Sequence, residues 1–272
     1  MMVAGGGERV AKTSSSVVER DIEVGGLLVH LSESGAGPPL VVLHHSTGPM
    51  WSSFYDSLAE SFTVTAPDMP GYGQSTRPIT ARTPAHLAIL LNQLFHAHGF
   101  EQIHLVGLGF GGWIAAELAA MDQRRLASLT LVGAAGIRPR GEGLIHDPMA
   151  ESWTAYARQS FRNDDAFAAV FGEEPPQEIV DLWDYSREMT ARITWKPWMW
   201  SLQLPDLLKG VQTPTLVVWG DEDKIVPLDC GTQYVEALPN AQLEIVENAG
   251  HLIDLEHPDR LAALIAGFAA AV

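Results

Sequence analysis

The sequence predicts an α/β fold, in which a mostly parallel central sheet is flanked on both faces by helices. Short apolar runs such as "PLVVLHH" and "TPTLVVWGD" are typical of strands buried on both faces, and helix-length segments separate them. Each run ends in a loop rich in Gly, Asp, Asn or His. Strands that alternate with helices pair in parallel, because every return connection crosses a face of the sheet. The 272 residues, 46% of them apolar, are enough for one large domain or a domain with an insertion.

The elements follow in a regular order after a low-complexity start, "MMVAGGGERVAKTSSS", which we interpret as a loose tail over residues 1–16. The next stretch, "VVERDIEVGGLLVHLSESG", predicts two antiparallel strands joined by a tight turn at Gly25 and Gly26. Further strands are expected in "PLVVLHH", "FTVTAPDMPGYG", "IHLVGLG", "LASLTLVGAAG", "TPTLVVWGD" and "AQLEIVENAG". Helices are expected over residues 50–61, 83–99, 111–122, 229–238 and 257–271.

One segment interrupts the alternation of strands and helices. From Arg138 to Lys209 there is no convincing buried strand, and five of the eight tryptophans fall here: Trp153, Trp183, Trp195, Trp198 and Trp200. We predict a helical cap over residues 138–209, inserted above a core formed by residues 17–137 and 210–272.

Charge and composition exclude several classes of partner. With 17 basic against 33 acidic residues, the formal charge of −16 repels nucleic acids and anionic membrane surfaces. No stretch approaches the ~18 apolar residues of a membrane-spanning helix, and the first residues lack the apolar run of a secretory signal. The single cysteine, Cys230, is consistent with a reducing compartment, so a cytoplasmic protein is expected.

Three loops at the carboxyl ends of predicted strands carry the residues that could do chemistry, since ligands bind at that edge of a parallel sheet. The turn after "IHLV" reads "GLGFGG" over residues 107–112, which permits a sharp strand-to-helix reversal. The loop after "TLVVWG" carries Asp221, Glu222 and Asp223, and the loop after "LEIVENAG" carries His251.

These motifs, taken in order, resemble those of the α/β-hydrolase fold superfamily, with a cap between the sixth and seventh strands. The matching pieces are "LHHSTG" for the oxyanion loop, "PDMPGYGQS", "VGLGFGG" for the nucleophile elbow, "GDEDKIVP" for the acid loop and "NAGHLIDLEHP" for the histidine loop. The resemblance covers nearly the whole chain after the tail.

The resemblance implies a role for individual residues. It puts the nucleophile position at Gly109, the base at His251 and the acid at Asp223, with Asp221 as the alternative acid. Backbone amides of Phe110 and of a residue near Ser46 or Thr47 would form the oxyanion hole. The chain departs from the pattern twice, because Gly109 replaces the serine and His45 replaces a glycine of the oxyanion loop.

A glycine at the nucleophile position excludes covalent catalysis by residue 109. Three hypotheses follow. In the first, His251 oriented by Asp223 acts as a general base on water or a substrate proton, in a hydrolase or lyase of a small carbonyl or ester compound. In the second, the chain is a serine esterase or C–C bond hydrolase inactivated by a serine-to-glycine change, natural or engineered. In the third, it is a non-catalytic binding protein for an apolar ligand. The flanking glycines predict room for a serine at position 109.

The expected partner is a small apolar or aromatic substrate, with no cofactor and no metal. His44 and His45 are adjacent in an extended stretch and should therefore point to opposite faces. We predict that His45 binds substrate together with a set of aromatic side chains from the cap: Trp153, Trp195, Trp198 and Trp200. These tryptophans would equally serve as the packing of a helical lid.

Overall fold

The fold is described from a computed structural model, for residues 17–141, 144–195 and 199–272. The predicted tail over residues 1–16, and Trp198, lie outside the described residues. The strands are β1 (Val18–Val24), β2 (Leu27–Ser34), β3 (Pro39–Leu43), β4 (Thr63–Pro67), β5 (Ile103–Leu108), β6 (Leu126–Val132), β7 (Thr215–Gly220) and β8 (Ala241–Val246). The helices are α1 (Ser53–Ala59), α2 (Pro84–His98), α3 (Phe110–Met121), α4 (Trp153–Gln159), α5 (Asp164–Phe171), α6 (Gln177–Thr194), α7 (Leu204–Leu208), α8 (Leu228–Ala237), α9 (Ile253–Glu256) and α10 (Pro258–Ala269).

The strands form one eight-stranded sheet in the order β1-β2-β4-β3-β5-β6-β7-β8. The β1–β2 and β2–β4 pairs are antiparallel, and all later pairs are parallel. The predicted α/β-hydrolase architecture is therefore confirmed. The predicted hairpin is confirmed too, because Val24 pairs with Leu27 across the turn at Gly25 and Gly26.

All five predicted helices are present, and local caps explain where they end. Helix α2, for example, begins after Thr83, whose side chain accepts a hydrogen bond from the His86 amide. It ends at Gly99, whose φ of 86° is the left-handed conformation that closes many helices.

Apolar side chains fill both faces of the sheet, and β5 shows how. Its Leu105 belongs to the core on the side of α2 and α3, whereas Val106 and Leu108 belong to the core on the side of α1 and α10. This alternation follows from the two-residue period of a strand and explains the continuous apolar run in the sequence. In the part of the chain that the structure describes, no helix is both long and apolar enough to cross a bilayer.

The segment between β6 and β7 contains helices α4 to α7. Helix α4 packs against α6, and α5 packs against α9, which directly follows the histidine loop. Helix α7 instead packs against α3 and α8 of the core. The boundaries of a separate cap, residues 138–209, stay a prediction, but α4 to α6 are the helices that lie next to the candidate site.

Candidate active site

The turn between β5 and α3 has the shape of a nucleophile elbow. Gly109 takes φ 52° and ψ −109°, a backbone conformation that costs on the order of 1–3 kcal/mol for a residue with a side chain. The turn is held by its own backbone, because the Gly109 amide donates to the Val132 carbonyl and its carbonyl accepts from the Ala135 amide. Glycine at this position therefore relieves strain in a turn that the surrounding strands impose.

His251 and Asp223 form the buried pair that the sequence predicts. The distance between His251 Nδ1 and Asp223 Oδ2 is 2.9 Å, and their side chains are only 5% and 1% exposed. A carboxylate oxygen only accepts, so Nδ1 carries the hydrogen, and in the neutral imidazole Nε2 then presents a lone pair. Gly133 follows β6 and makes room, since a Cβ there would lie 3.1 Å from Nδ1.

The choice of Asp223 over Asp221 as the partner of His251 is confirmed. The second oxygen of Asp223 accepts from the amides of Ile225 and Val226, so the carboxylate is fixed on both sides. Asp221 is exposed and accepts from the Ala249 amide.

A backbone contact from the helical segment fixes the position of His251. The Ser160 carbonyl, just beyond α4, accepts hydrogen bonds from the amides of His251 at 2.7 Å and Leu252 at 3.1 Å. These two hydrogen bonds connect the end of α4 to the histidine loop.

His44 and His45 point in different directions, as their adjacency in an extended stretch predicts. His44 Nδ1 donates to the His45 carbonyl, its Nε2 accepts from the Met69 amide, and its ring contacts Tyr72 edge-on. The His45 ring lies on the other side and contacts the His251 ring, with a centroid separation of 5.3 Å.

His45 has a carboxylate partner of its own that the sequence reasoning missed. Its Nε2 lies 2.9 Å from Asp254 Oδ1, and both side chains are 6% exposed. The only signal in the sequence was the position of Asp254 in "NAGHLIDLEHP", three residues after His251. The site therefore contains two buried His–Asp pairs.

Both histidines converge on the place where a side chain of residue 109 would begin. A Cβ built on Gly109 would lie 2.5 Å from His45 Nδ1 and 2.8 Å from His251 Nε2. Contacts this short require a neighbour to move, and Asp254 holds the His45 ring in place. The prediction that a serine would have room at position 109 is wrong, because the imidazole of His45 occupies that room.

The predicted oxyanion residues lie beside this point. Phe110 begins α3, so its amide is one of the free N–H groups at a helix start, while its buried side chain packs near Tyr72. Ser46 is buried, and Thr47 beside it is partly buried. That the amides of these residues bind an oxyanion stays a prediction.

The helical segment holds the Ser46 loop through two hydroxyl groups that the sequence reasoning did not single out. The Tyr156 hydroxyl of α4 hydrogen-bonds the Ser46 side chain, and burial raises the pKa of this tyrosine. Thr190 Oγ1 of α6 donates to the Ser46 carbonyl at 3.3 Å. Nothing in their spacing marked these residues, since they lie on helices remote in sequence.

The three described tryptophans among the predicted substrate-binding residues have different surroundings. Trp153 is buried and packs edge-on against Tyr156, with 4.6 Å between ring centroids. Because Tyr156 in turn contacts Ser46, Trp153 is connected to the Ser46 loop through Tyr156. Trp195 is 67% exposed and lines a surface cavity with Arg82 and Glu188.

Trp200 lines a different cavity of about 440 Å³, together with Trp113 and Glu117. Neither this cavity nor the one beside Trp195 is lined by Gly109, His45 or His251. Of the three, only Trp153 is thus grouped by contacts with the candidate site.

Metal-ligating groups are not assembled in the described ranges: no three His, Cys, Asp or Glu side chains there are placed to hold a metal ion. The two His–Asp pairs offer proton transfer and hydrogen bonding instead.

We expect His44 to make stability depend on pH. Burial lowers the pKa of His44 in the folded protein from 6.5 to about 3. Below pH 6.5 the unfolded chain binds a proton that the folded chain does not. The free energy of unfolding therefore decreases as the pH is lowered, by up to about 1.4 kcal/mol per pH unit. Urea unfolding at pH 7 and pH 5 should show this loss in the parent and a smaller loss in His44→Asn. The exposed His96→Gln serves as control, and an equal loss in all three would contradict the assignment.

Comparison with known proteins yields similar hydrolases. A model of the alpha/beta hydrolase family matches residues 35–264. The chain is 31% identical to a 2-hydroxymuconate semialdehyde hydrolase from a Pseudomonas species, with 96% of each chain covered. It is 30% identical to a 2-hydroxy-6-oxononadienedioate/2-hydroxy-6-oxononatrienedioate hydrolase from Paraburkholderia phymatum, covering 89% of this chain and 91% of the relative.

Solved structures show the same likeness. A meta-cleavage product hydrolase from Pseudomonas fluorescens, determined as a variant in complex with acetates, superposes with a TM-score of 0.73. It is 26% identical, and the match covers 93% of this chain and 97% of that one.

Proposed function

The chain belongs to the alpha/beta hydrolase family, and on that premise we propose that it is a hydrolase whose base, His251, activates water directly. Residue 109 has no side chain to be acylated, so water takes the part of the nucleophile. Asp223 orients the imidazole, and the amides of Phe110 and of Ser46 or Thr47 stabilise the negative charge that develops on the substrate oxygen.

One observation supports this proposal above the others: His251 Nε2 faces the space beside Gly109. The nitrogen is 2.8 Å from the Cβ position of residue 109, so it faces the space in which a water beside Gly109 would lie. The hydrogen bond from Nδ1 to Asp223 leaves Nε2 free to accept a proton. General-base catalysis of this kind contributes typically about 10²–10⁴-fold to a rate.

For the substrate class, we propose small unsaturated 2-hydroxy-6-oxo acids and related ketones, cleaved hydrolytically at a carbon–carbon bond. The support is the naming of the relatives, which are hydrolases of such compounds. Esters are the second substrate class that the same geometry could serve.

The proposed step balances without a cofactor. The water oxygen bonds to the ketone carbon while His251 accepts one proton from the water. In the keto tautomer of the substrate, the proton of the 2-hydroxyl group has moved to the carbon next to the ketone, and the bond between that carbon and the carbonyl carbon then breaks. Its electron pair passes through the conjugated double bond to the 2-oxo oxygen, which takes the proton back from His251. One carboxylic acid and one shortened enol or ketone are released.

The two other hypotheses have less support. If the chain were an inactivated serine hydrolase, its active parent would carry serine at position 109, and the Cβ of that serine would collide with His45 in its present position. A non-catalytic binding protein would have no need of two buried His–Asp pairs directed at one point.

The experiment is a product analysis with the purified chain. We expect 2-hydroxy-6-oxohexa-2,4-dienoates to be converted to a carboxylic acid and a shortened 2-hydroxydienoate, with one oxygen of H₂¹⁸O in the acid. Activated esters and β-diketones are assayed in parallel to define the range. Absence of turnover with all three classes, in protein that is folded, would refute the proposed function.

A further inference from the structure

We propose that His45 and Asp254 form a second catalytic pair, which holds the hydrolytic water jointly with His251. This inference rests on the proposed function, since it concerns the same water. It assigns to His45 a contact with a reacting atom, where the sequence suggested contact with the substrate.

The two pairs use opposite nitrogens of the imidazole ring. His251 donates from Nδ1 to Asp223 and presents Nε2, whereas His45 donates from Nε2 to Asp254 and presents Nδ1. The presented nitrogens lie 2.8 Å and 2.5 Å from one point, the Cβ position of residue 109. Both nitrogens therefore face the same space on the side-chain side of Gly109. A water oxygen in that space lies farther from the Gly109 Cα than the Cβ position does, and it would bond each nitrogen at about 2.7–3.2 Å.

Burial makes the orientation of His45 informative. The residue is 5% exposed, and Nδ1 has no hydrogen-bond partner among the described residues. Leaving a buried polar atom without a partner costs about 1–3 kcal/mol, and the bond to Asp254 holds the ring in the orientation that incurs this cost. A contact between Nδ1 and a reacting molecule would account for this unpaired nitrogen.

The two lone pairs determine how a water would be oriented. Water can donate one hydrogen to His251 Nε2 and the other to His45 Nδ1, because both nitrogens accept in these tautomers. Both O–H bonds then point at the histidines, and the oxygen lone pairs point away from them. In the proposed step, His251 takes the transferred proton and His45 keeps the second O–H bond in place.

This arrangement also explains why Gly109 and His45 occur together. A serine Cβ and the His45 imidazole would compete for the same space, so a chain that positions water with His45 requires glycine at position 109. The glycine at position 109 and the histidine at position 45 are then parts of one change. The serine hydroxyl of the family pattern is replaced by a water that a second histidine holds.

The test compares kcat and KM of His45→Gln and Asp254→Asn with those of the parent on a substrate found in the product analysis. Glutamine removes the basic nitrogen, and an asparagine amide at position 254 would favour the His45 tautomer with hydrogen on Nδ1. We expect kcat to fall about 10²-fold in each variant and KM to change less than about threefold. This loss is the size expected when a reactant, here the water, is misplaced by about 1 Å. Asp259→Asn on α10 is the matched control, because Asp259 is exposed and accepts from Ser57.

A second readout separates catalysis from packing. We expect imidazole added to His45→Gly to restore part of the lost kcat, which a purely structural role would not allow. Thermal unfolding checks that the variants are folded. Unchanged kcat in folded His45 and Asp254 variants, with His251→Ala inactive, would overturn the second pair and leave the proposed function standing. Unchanged kcat in His251→Ala would overturn both, and an acylated His45 trapped in a quenched single turnover would overturn the role in holding water.

Discussion

We expect His251→Ala to lower kcat/KM about 10²–10⁴-fold, the range that general-base catalysis contributes. The physical reason is that Nε2 of this ring accepts the proton of the attacking water, and alanine leaves no acceptor beside Gly109. The measurement is steady-state turnover of the substrate identified in the product analysis, with thermal unfolding to confirm the fold.

Asp223→Asn tests the role of His251 as a base while the His251 ring stays in the site. The asparagine carbonyl can still accept from the Ile225 and Val226 amides, which Asp223 Oδ1 binds at 2.8 and 2.9 Å. Its amide group then faces His251 Nδ1 and favours the tautomer with hydrogen on Nε2, which cannot act as a base. A comparable change in a serine protease triad lowers kcat about 10⁴-fold, and we expect a loss of at least about 10²-fold here.

Asp221→Asn is the matched control for this experiment. Asp221 lies in the same loop but contacts the Ala249 amide rather than His251, so its variant should keep kcat/KM within about twofold. Equal losses in the two variants would indicate damage to the loop rather than to the base. Full activity in Asp223→Asn would contradict the orientation of His251 by a carboxylate.

The largest gain of function is expected from two substitutions together, His45→Gly and Gly109→Ser. The double variant has the glycine of the oxyanion loop and the serine of the elbow that the family pattern contains, next to the intact His251–Asp223 pair. We expect an organophosphonate to form a covalent adduct with the new serine of this variant. We also expect activated esters to be hydrolysed at least about 10²-fold faster than by either single variant, given that loss of a triad serine costs about 10⁶-fold. Mass spectrometry of the labelled protein and ester turnover are the measurements.

The single variants are the controls. Gly109→Ser alone should stay unreactive, because its Cβ would lie 2.5 Å from His45 Nδ1. His45→Gly alone has no nucleophile. Rapid labelling of the Gly109→Ser single variant would contradict the steric conflict, and an inert, folded double variant would show that the oxyanion loop does not support acyl transfer.

The order of the elements and the convergence of Gly109, Asp223 and His251 follow from the amino-acid pattern. Each of these residues follows a buried strand, and a parallel sheet brings the carboxyl ends of its strands to one edge. The preference for Asp223 over Asp221 came from the resemblance to the α/β-hydrolase fold superfamily, whose acid loops usually place the carboxylate three residues after the glycine, here Gly220.

The contacts of His45 could not be predicted from the sequence. Its partner Asp254 lies 209 positions away along the chain, and the pairing depends on how the oxyanion loop and α9 pack against each other. The conflict between His45 and a side chain at position 109 is a contact distance of 2.5 Å, a detail that a pattern of residue types cannot resolve. The contrast between buried Trp153 and exposed Trp195 has the same origin, because helix packing rather than residue type sets which aromatic face is covered.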